Sequence, residues 1–356
     1  MKILLRAPNW LGDAVLALPA LRALRQCYPA ACIVVLARPW VADLYRREPC
    51  VNQVTLCPAR RGFKGWVQRV RLAGELRRGG FDWSLVLPNS WESALVPWLA
   101  RIPRRSGYDR GGRGWLLTQA IVPPQRGAIP EHESFYYLEL LRRAGLLREL
   151  PAASPIVLAG VAEARCRGKQ LFSALGLEVP VIGLSPGAQN SRAKQWPAER
   201  FVEAAHCLAE RMRAAVAVFG SWSERPLGQR VAAELRRRGV SAINLAGETT
   251  LENFICLAAA CRVFLSNDSG AMHVASALDV PTVAVFGPTE WFATGPAGPR
   301  SCIVREPVEC SPCMLRDCPT DHRCMRRIPA ERVAQAALDL IEWELERGYS
   351  EQDNQR

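Results

Sequence analysis

Strand-sized apolar runs, each closed by a loop and followed by a stretch of helical period, recur along almost the whole chain. A β-α alternation of this kind leaves little room for anything except parallel sheets joined by crossover helices. In the first half the strand-like runs are KILLRA, CIVVLA, NQVTLC and WSLVLP, with VADLYRRE and FKGWVQRVRLAGELRR as helical stretches between them. A Pro-containing passage, LPAASPIVL, and a helical AEARCRGKQLFSALGL follow. The alternation then restarts: VPVIGLS, AAVAVFGS, SAINLAG, RVFLSN and PTVAVFGP alternate with PAERFVEAAHCLAERM, ERPLGQRVAAELRRR, LENFICLAAAC and AMHVASAL. The 356 residues exceed what one core usually organises, and about 150 residues per domain suggests two. The boundary is expected near 165 to 175, giving one Rossmann-like domain over 1–170, a second over 171–328 and a terminal amphipathic helix over 329–350.

With 49% hydrophobic and 22% charged residues the chain has enough apolar mass for buried cores. No apolar run approaches the roughly 18 residues that span a bilayer. The opening MKILLRAPNWLGDAVLALPAL imitates a secretion signal, but Pro8, Gly12 and Asp13 interrupt it, so a cytoplasmic location is expected. Lys and Arg number 46 against 34 Asp and Glu, a surplus of +12 that favours anionic partners. Nearly all of it is Arg; the lysines are Lys2, Lys64, Lys169 and Lys194. The basic runs VQRVRLAGELRRGG and RIPRRSGYDRGGRG read equally well as solvated faces or as surfaces facing a polyanion.

Three loop-helix junctions carry candidate chemistry. In SNDSGAMHVASAL an apolar run opens through Ser269 and Gly270 directly into a helix, a junction that offers amide N–H groups and the positive end of the helix dipole to a phosphate. Asp268 suits a ribose or cation contact and His273 a phosphate, although a capped helix with a packed histidine explains the same residues. In LSPGAQNSRAKQWPAERF a strand runs into a long loop bearing Gln189, Asn190, Ser191, Arg192 and Lys194. Lys194 is the residue suited to a diphosphate whose charge grows as it leaves. In PNWLGDAV, Asp13 stands at a helix start, either as an N-cap or as a general base at the carboxyl edge of the first sheet.

No dinucleotide fingerprint and no P-loop follows a strand. GLSPG matches the G-x-S-x-G pattern around Ser185, but Pro186 and a long loop replace the sharp turn that a nucleophile elbow needs. Of the 13 cysteines, nine are scattered in mostly apolar segments. Cys310, Cys313, Cys318 and Cys324 lie within CSPCMLRDCPTDHRC near His322, a spacing compatible with a structural zinc, a labile disulfide pair or an iron-sulfur cluster.

Together, NDSGAMHVASAL followed by VPTVAVFGPT, preceded by SPGAQNSRAKQWP and FGS, resemble the ADP-heptose:lipopolysaccharide heptosyltransferases of glycosyltransferase family 9. The resemblance extends from WLGDAVLALPALRAL through LVLPNSWESALVPWLARIPRRSGY to the tail, and LPNS with SALVP point to the heptosyltransferase II branch. It implies an α/β GT-B fold: two Rossmann-like, doubly wound domains facing a cleft, with the terminal helix crossing back onto the first. It implies an inverting transfer that requires no cofactor, with Asp13 as general base and Lys194 beside the donor diphosphate. Asp268, Ser269, Gly270 and His273 match phosphate and ribose contacts, Asn190 and Thr249 nucleotide contacts, and Glu224 a ribose-binding acid. The implied partners are ADP-heptose, a lipopolysaccharide inner core made of Kdo-lipid A bearing heptose, and the cytoplasmic face of the inner membrane. Peripheral docking there is expected through the basic segments around Arg101 to Arg113, with no nucleic acid involved. The cysteine cluster Cys310, Cys313, Cys318 and Cys324, compatible with a structural zinc, departs from the family pattern. The alternatives are a family 9 transferase with another heptose acceptor or nucleotide sugar, and a basic zinc-containing nucleic-acid-binding protein. Against the latter, no groove-reading helix accompanies the cysteines.

Overall fold

The computed structural model describes residues 1–58, 62–152, 155–178, 180–189 and 191–353, with the side chains of 343–353 excepted. It divides into two units, Met1–Ser154 and Pro155–Arg356.

The first unit holds a six-stranded parallel sheet of β1 (Lys2–Arg6), β2 (Cys32–Ala37), β3 (Gln53–Leu56), β4 (Trp83–Val86), β5 (Arg104–Tyr108) and β6 (Gln119–Ile121) in the order β3-β2-β1-β4-β5-β6. β1, β2 and β4 are buried almost throughout, as parallel strands covered on both faces must be. Leu4, Val34 and Leu36 from the sheet pack with Leu72 and Leu76 of the helix Gly62–Arg78 and with Val96. β5 lies inside the basic run read from the sequence as surface: Arg104 is exposed, while Ser106, Gly107 and Tyr108 are buried between β4 and β6.

The second sheet contains β7 (Val181–Ser185), β8 (Ala215–Val218), β9 (Ala242–Asn244), β10 (Val263–Asn267), β11 (Thr282–Phe286) and β12 (Ser301–Arg305), in the order β12-β11-β10-β7-β8-β9. Counted within its own unit this repeats the first sheet's order, so both are doubly wound Rossmann sheets. The unit begins earlier than the expected 165 to 175. Ile156 and Leu158 already donate backbone bonds to Ala297 and Ala277. Arg165, on the helix Val161–Ala174, donates to the Ala259 carbonyl. That helix therefore belongs to the second unit, and the boundary at 170 is corrected to 154/155.

The terminal helix Ala330–Asp353 forms as expected. Its described side chains Val333, Ala334, Ala337 and Ile341 enter the core of the second unit together with Trp196, Phe201 and Leu208. This corrects the expected packing on the first domain for the part of the helix whose side chains are described. The turns that remain, to 350, carry side chains outside the described residues. Among the described residues no helix is long and apolar enough to cross a membrane.

Candidate functional site

In an open sheet of this order the chain leaves β1 and β4, and likewise β7 and β10, toward opposite edges. The crevice outside their carboxyl ends is where ligands bind. Each unit has one such crevice, and the sequence-derived residues distribute between them.

In the second unit β7 ends at buried Ser185 and the chain then runs as a loop to Trp196 before the helix Ala198–Met212 begins. No sharp strand-to-helix turn exists at Ser185, so it cannot serve as a nucleophile elbow. Asn267, the last residue of β10 and fully buried, secures this loop. Its Nδ2 donates to the Pro186 carbonyl at 2.8 Å and the Gly187 carbonyl at 3.3 Å, and its Oδ1 accepts from the Trp196 amide at 3.0 Å. The loop is thereby held at both ends over the switch point.

Lys194 lies on a short 3-10 turn of that loop, and its Nζ stands 2.7 Å from Asp268 Oδ2. The same oxygen accepts from Thr289 Oγ1 at 2.8 Å. Asp268 is buried and Lys194 partly exposed, so the carboxylate is fixed while the ammonium can be reached from solvent. Directly after Asp268, Ser269 occupies the N-cap position of the helix Gly270–Ala277 but makes no side-chain capping bond. Its hydroxyl is instead 3.0 Å from the Ser266 hydroxyl. The capped-helix reading therefore fails for Ser269, and the helix start keeps its positive dipole end beside Asp268 and Lys194. His273 is buried on the first turn, as a packed histidine would be.

Glu224 is brought to the same loop from the far side of β8. Its Oε2 accepts from the Ser221 amide at 2.7 Å and the Ser221 hydroxyl at 2.8 Å. Its Oε1 lies so close to Gly187 that a Cβ there would overlap it. Thr249 sits beyond the edge strand β9, one residue before Thr250, whose hydroxyl caps the helix Leu251–Ala259 by accepting from the Asn253 amide. Asn190 lies outside the described residues.

The cysteine-rich segment folds onto the Lys194 loop. The Ala193 amide donates to the Arg316 carbonyl at 2.9 Å, His322 Nε2 donates to the Ala193 carbonyl at 2.7 Å, and Arg192 pairs with Asp317 at 2.6 Å. Cys310, Cys313, Cys318 and Cys324 are free thiols. Burial pushes the Cys324 thiol up to about 11, and the other three thiols stand near enough to add to the shift. Among the described residues no group of three or more thiols, imidazoles and carboxylates stands as a closed metal-ligand set.

In the first unit Asp13 lies on the first turn of the short helix Leu11–Leu16, whose N-cap position belongs to Trp10. Asp13 is thus not the cap. The loop ahead of it is held by Arg6, buried beneath the sheet edge, donating to Asn9 Oδ1 at 2.5 Å, and by Trp40 Nε1 donating to the Asn9 carbonyl at 2.7 Å. Across the switch point, after β4, Asn89 Nδ2 donates to the Tyr136 hydroxyl at 3.0 Å, while its buried Oδ1 has no partner among the described residues. Glu133, just before the helix Ser134–Arg143, is pushed up to about 7 by burial first and by the negative charge of Asp13 second. Two carboxyl groups, an amide and a phenol therefore gather at this crevice. Asp13 was singled out in the sequence and Asn89 lies within the LPNS motif without an assigned role; Glu133 and Tyr136 carry no motif, and the four become neighbours only through the sheet order.

The Arg101 to Arg113 segment does not form the basic surface expected of it. Arg113 is fully buried, donating to the Pro88 and Ser90 carbonyls and the Ser93 hydroxyl, and Arg105 donates to the Ile102 and Leu116 carbonyls. These two guanidiniums hold the loop after β4 and the turn after β5, so only Arg101, Arg104 and Arg110 remain at the surface.

Two doubly wound units, one with a Lys–Asp pair at its switch point and one with carboxyl groups, are the parts of a GT-B transferase. The profile of Glycosyltransferase family 9 (heptosyltransferase) matches residues 69–323. The chain is 36% identical to lipopolysaccharide heptosyltransferase 2 of Salmonella typhimurium over 311 residues, 86% of this chain and 88% of that protein. It is 32% identical to lipooligosaccharide heptosyltransferase 2 of Haemophilus ducreyi over 320 residues, with the same two coverages. The structure of E. coli ADP-heptose lps heptosyltransferase II superposes with a TM-score of 0.81 at 32% identity, covering 97% of this chain and 99% of that one. The chain belongs to glycosyltransferase family 9. It is a glycosyltransferase of the GT-B fold.

Proposed function

We propose that this enzyme transfers L-glycero-D-manno-heptose from ADP-heptose to the heptosylated inner core of lipopolysaccharide, the heptosyltransferase II reaction. The similarity to heptosyltransferase 2 proteins along most of the chain supports that donor and acceptor. The observation that carries the mechanism is the Lys194–Asp268 pair beside an uncapped helix start at a switch point.

The acceptor hydroxyl gives its proton to Asp13 as its oxygen attacks the anomeric carbon on the face opposite ADP. The new C–O bond forms as the bond to the diphosphate breaks, ADP leaves with the electron pair, and the configuration inverts. Lys194, released from Asp268, and the amides at Ser269 and Gly270 bear the charge that grows on the diphosphate, which is the work a metal ion does in other transferases. Glu224, Thr249, Asn190 and His273 are assigned to the nucleotide and ribose. No bound metal takes part in transfer.

The cysteine-rich segment has a structural role, gripping Ala193 and so setting the position of Lys194. A zinc ion on Cys310, Cys313, Cys318 and Cys324 would supply the deprotonation that draws the thiols together. Elemental analysis should then find about one zinc per chain, removed by Cys318→Ser; a metal-free active chain ends that assignment. The enzyme works as a peripheral protein at the cytoplasmic face of the inner membrane.

The test is ADP release from ADP-heptose with heptosylated Kdo-lipid A as acceptor. Turnover that disappears in folded Asp13→Ala supports both the reaction and the base. A wild-type chain that binds ADP and transfers nothing overturns the assigned donor or acceptor.

A further inference from the structure

The helix Gly62–Arg78 has two apolar faces, and only one of them has a partner. Leu72, Ala73 and Leu76 face the core of the first unit. On the opposite side Phe63, Trp66, Val67 and Val70, spaced i, i+3, i+4, i+7, are 80%, 43%, 43% and 45% exposed. Residues at this spacing form one continuous stripe along a helix. A helix that needed only its inner face for folding would place polar residues here.

The charges beside this stripe have one sign. Lys64, Arg71, Arg77 and Arg78 are exposed on the same helix and make no ion pair among the described residues, and Glu75 is the helix's one acid. Arg69 is different: it turns inward and pairs with Glu92. An exposed aromatic and aliphatic stripe flanked by unpaired cations has the composition of a helix that lies in the plane of a bilayer surface. Its side chains enter the acyl boundary while its cations meet anionic headgroups. A protein partner with an apolar groove would fit the stripe but gives no reason for four unpaired cations on one helix.

We propose that the helix Gly62–Arg78 is the membrane-docking element of this enzyme, with Phe63, Trp66, Val67 and Val70 inserted among the lipids of an anionic bilayer surface. This rests on the reading that the acceptor is a lipid-linked glycan, and it replaces the Arg101 to Arg113 segment as the docking surface. This helix would hold the enzyme at the surface that carries its acceptor, and among the described residues no helix is long and apolar enough to cross the membrane.

The full-length protein is sedimented with vesicles of phosphatidylethanolamine and phosphatidylglycerol, and with vesicles of phosphatidylcholine alone. Binding to the anionic vesicles only is expected, with Trp66 emission shifting to the blue and the shift absent in Trp66→Phe. Phe63→Ser combined with Trp66→Ser should abolish binding, and each of Lys64→Gln, Arg71→Gln and Arg78→Gln should weaken it about fivefold. Arg104→Gln should leave it unchanged. Transfer to a delipidated, water-soluble acceptor should be the same in all these variants, which also shows that they fold. Three results overturn the proposal: no wild-type binding to anionic vesicles, binding that survives the double serine variant, or a wild-type dimer in light scattering that this variant dissociates. The last would make the stripe a contact between two copies. Vesicle binding by a chain that transfers no heptose would overturn the reaction and leave the docking helix standing.

Discussion

The two switch points are built on the same strand order, yet their chemistry is opposite. In the second unit the charges are matched: Lys194 meets Asp268, Thr289 supports the same oxygen, and Asn267 ties the loop down with three bonds. In the first unit two acids lie near each other, and one of them, Glu133, rises to about 7 through burial first and the Asp13 charge second. A matched ion pair at a helix start is poised to exchange its anion for a diphosphate. A carboxylate beside a second, more weakly acidic carboxyl group is placed to take a proton from a hydroxyl. The Rossmann sheet supplies the location in both cases, and the loops decide which charges stand there.

The most severe way to break this contrast is to remove the Asp13 carboxylate, the proposed base. Asp13→Asn should lower kcat by about 10²–10⁴-fold with ADP binding retained, measured by ADP release and by calorimetry. It should also move Glu133 back toward ordinary carboxyl values, since the Asp13 charge contributes to the shift. If ADP binding fell instead, Asp13 would belong to the donor site and the contrast would collapse.

Next comes Lys194→Met, which should cost about 10²–10³-fold in kcat and also destabilise the fold, because the buried Asp268 carboxylate loses its ion-pair partner. Asn267→Ala should destabilise the chain by about 1–3 kcal/mol, because it leaves the Pro186 and Gly187 carbonyls and the Trp196 amide short of a partner. Chemical denaturation measures that loss, and a weaker ADP affinity should accompany it as the Lys194 loop loosens.

The smallest effect is the one most specific to the first unit. The folded value of Glu133 lies above its ordinary 4.5, so the native state holds that proton more tightly than the unfolded chain does. The stabilisation is full below 4.5 and is lost as pH rises through about 7. Glu133→Gln keeps the neutral form at every pH. Its denaturation midpoint should therefore vary less over that window, and an inflection near 7 in the wild-type pH–rate profile should disappear. An unchanged profile would separate Glu133 from the reacting groups.

Much of this was legible before any coordinates. β1, β4, β7, β10 and β11 stand out as near-continuous apolar runs because buried parallel strands have no solvent side to mark. Lys194, Asp268, Ser269 and Gly270 stand out because strand ends opening into Gly-bearing turns are anion sites on local grounds alone. β5 was not legible: RRSGY carries two arginines and a glycine, and only pairing with β4 and β6 makes it a strand. The expected boundary near 165 to 175 falls within the helix Val161–Ala174, which belongs to the second unit; helical period shows that a helix needs a partner but not which one. The stripe of Phe63, Trp66, Val67 and Val70 was likewise not legible, because period alone does not separate a core-facing apolar stripe from one that stays exposed.

The sequence by itself determined most of the element types, the two-unit alternation, the loops that carry Lys194 and Asp268, and the family. Those depend on residues near one another in the chain, where period, turn chemistry and helix starts act locally. Only the tertiary structure decided that Asn267 secures the Lys194 loop, that Glu133 and Tyr136 join Asn89 and Asp13, and that Arg113 is a buried brace. It also decided that the cysteine segment grips Ala193. Each of these joins residues far apart in sequence, and strand order and packing, which no local pattern encodes, bring them within bonding distance.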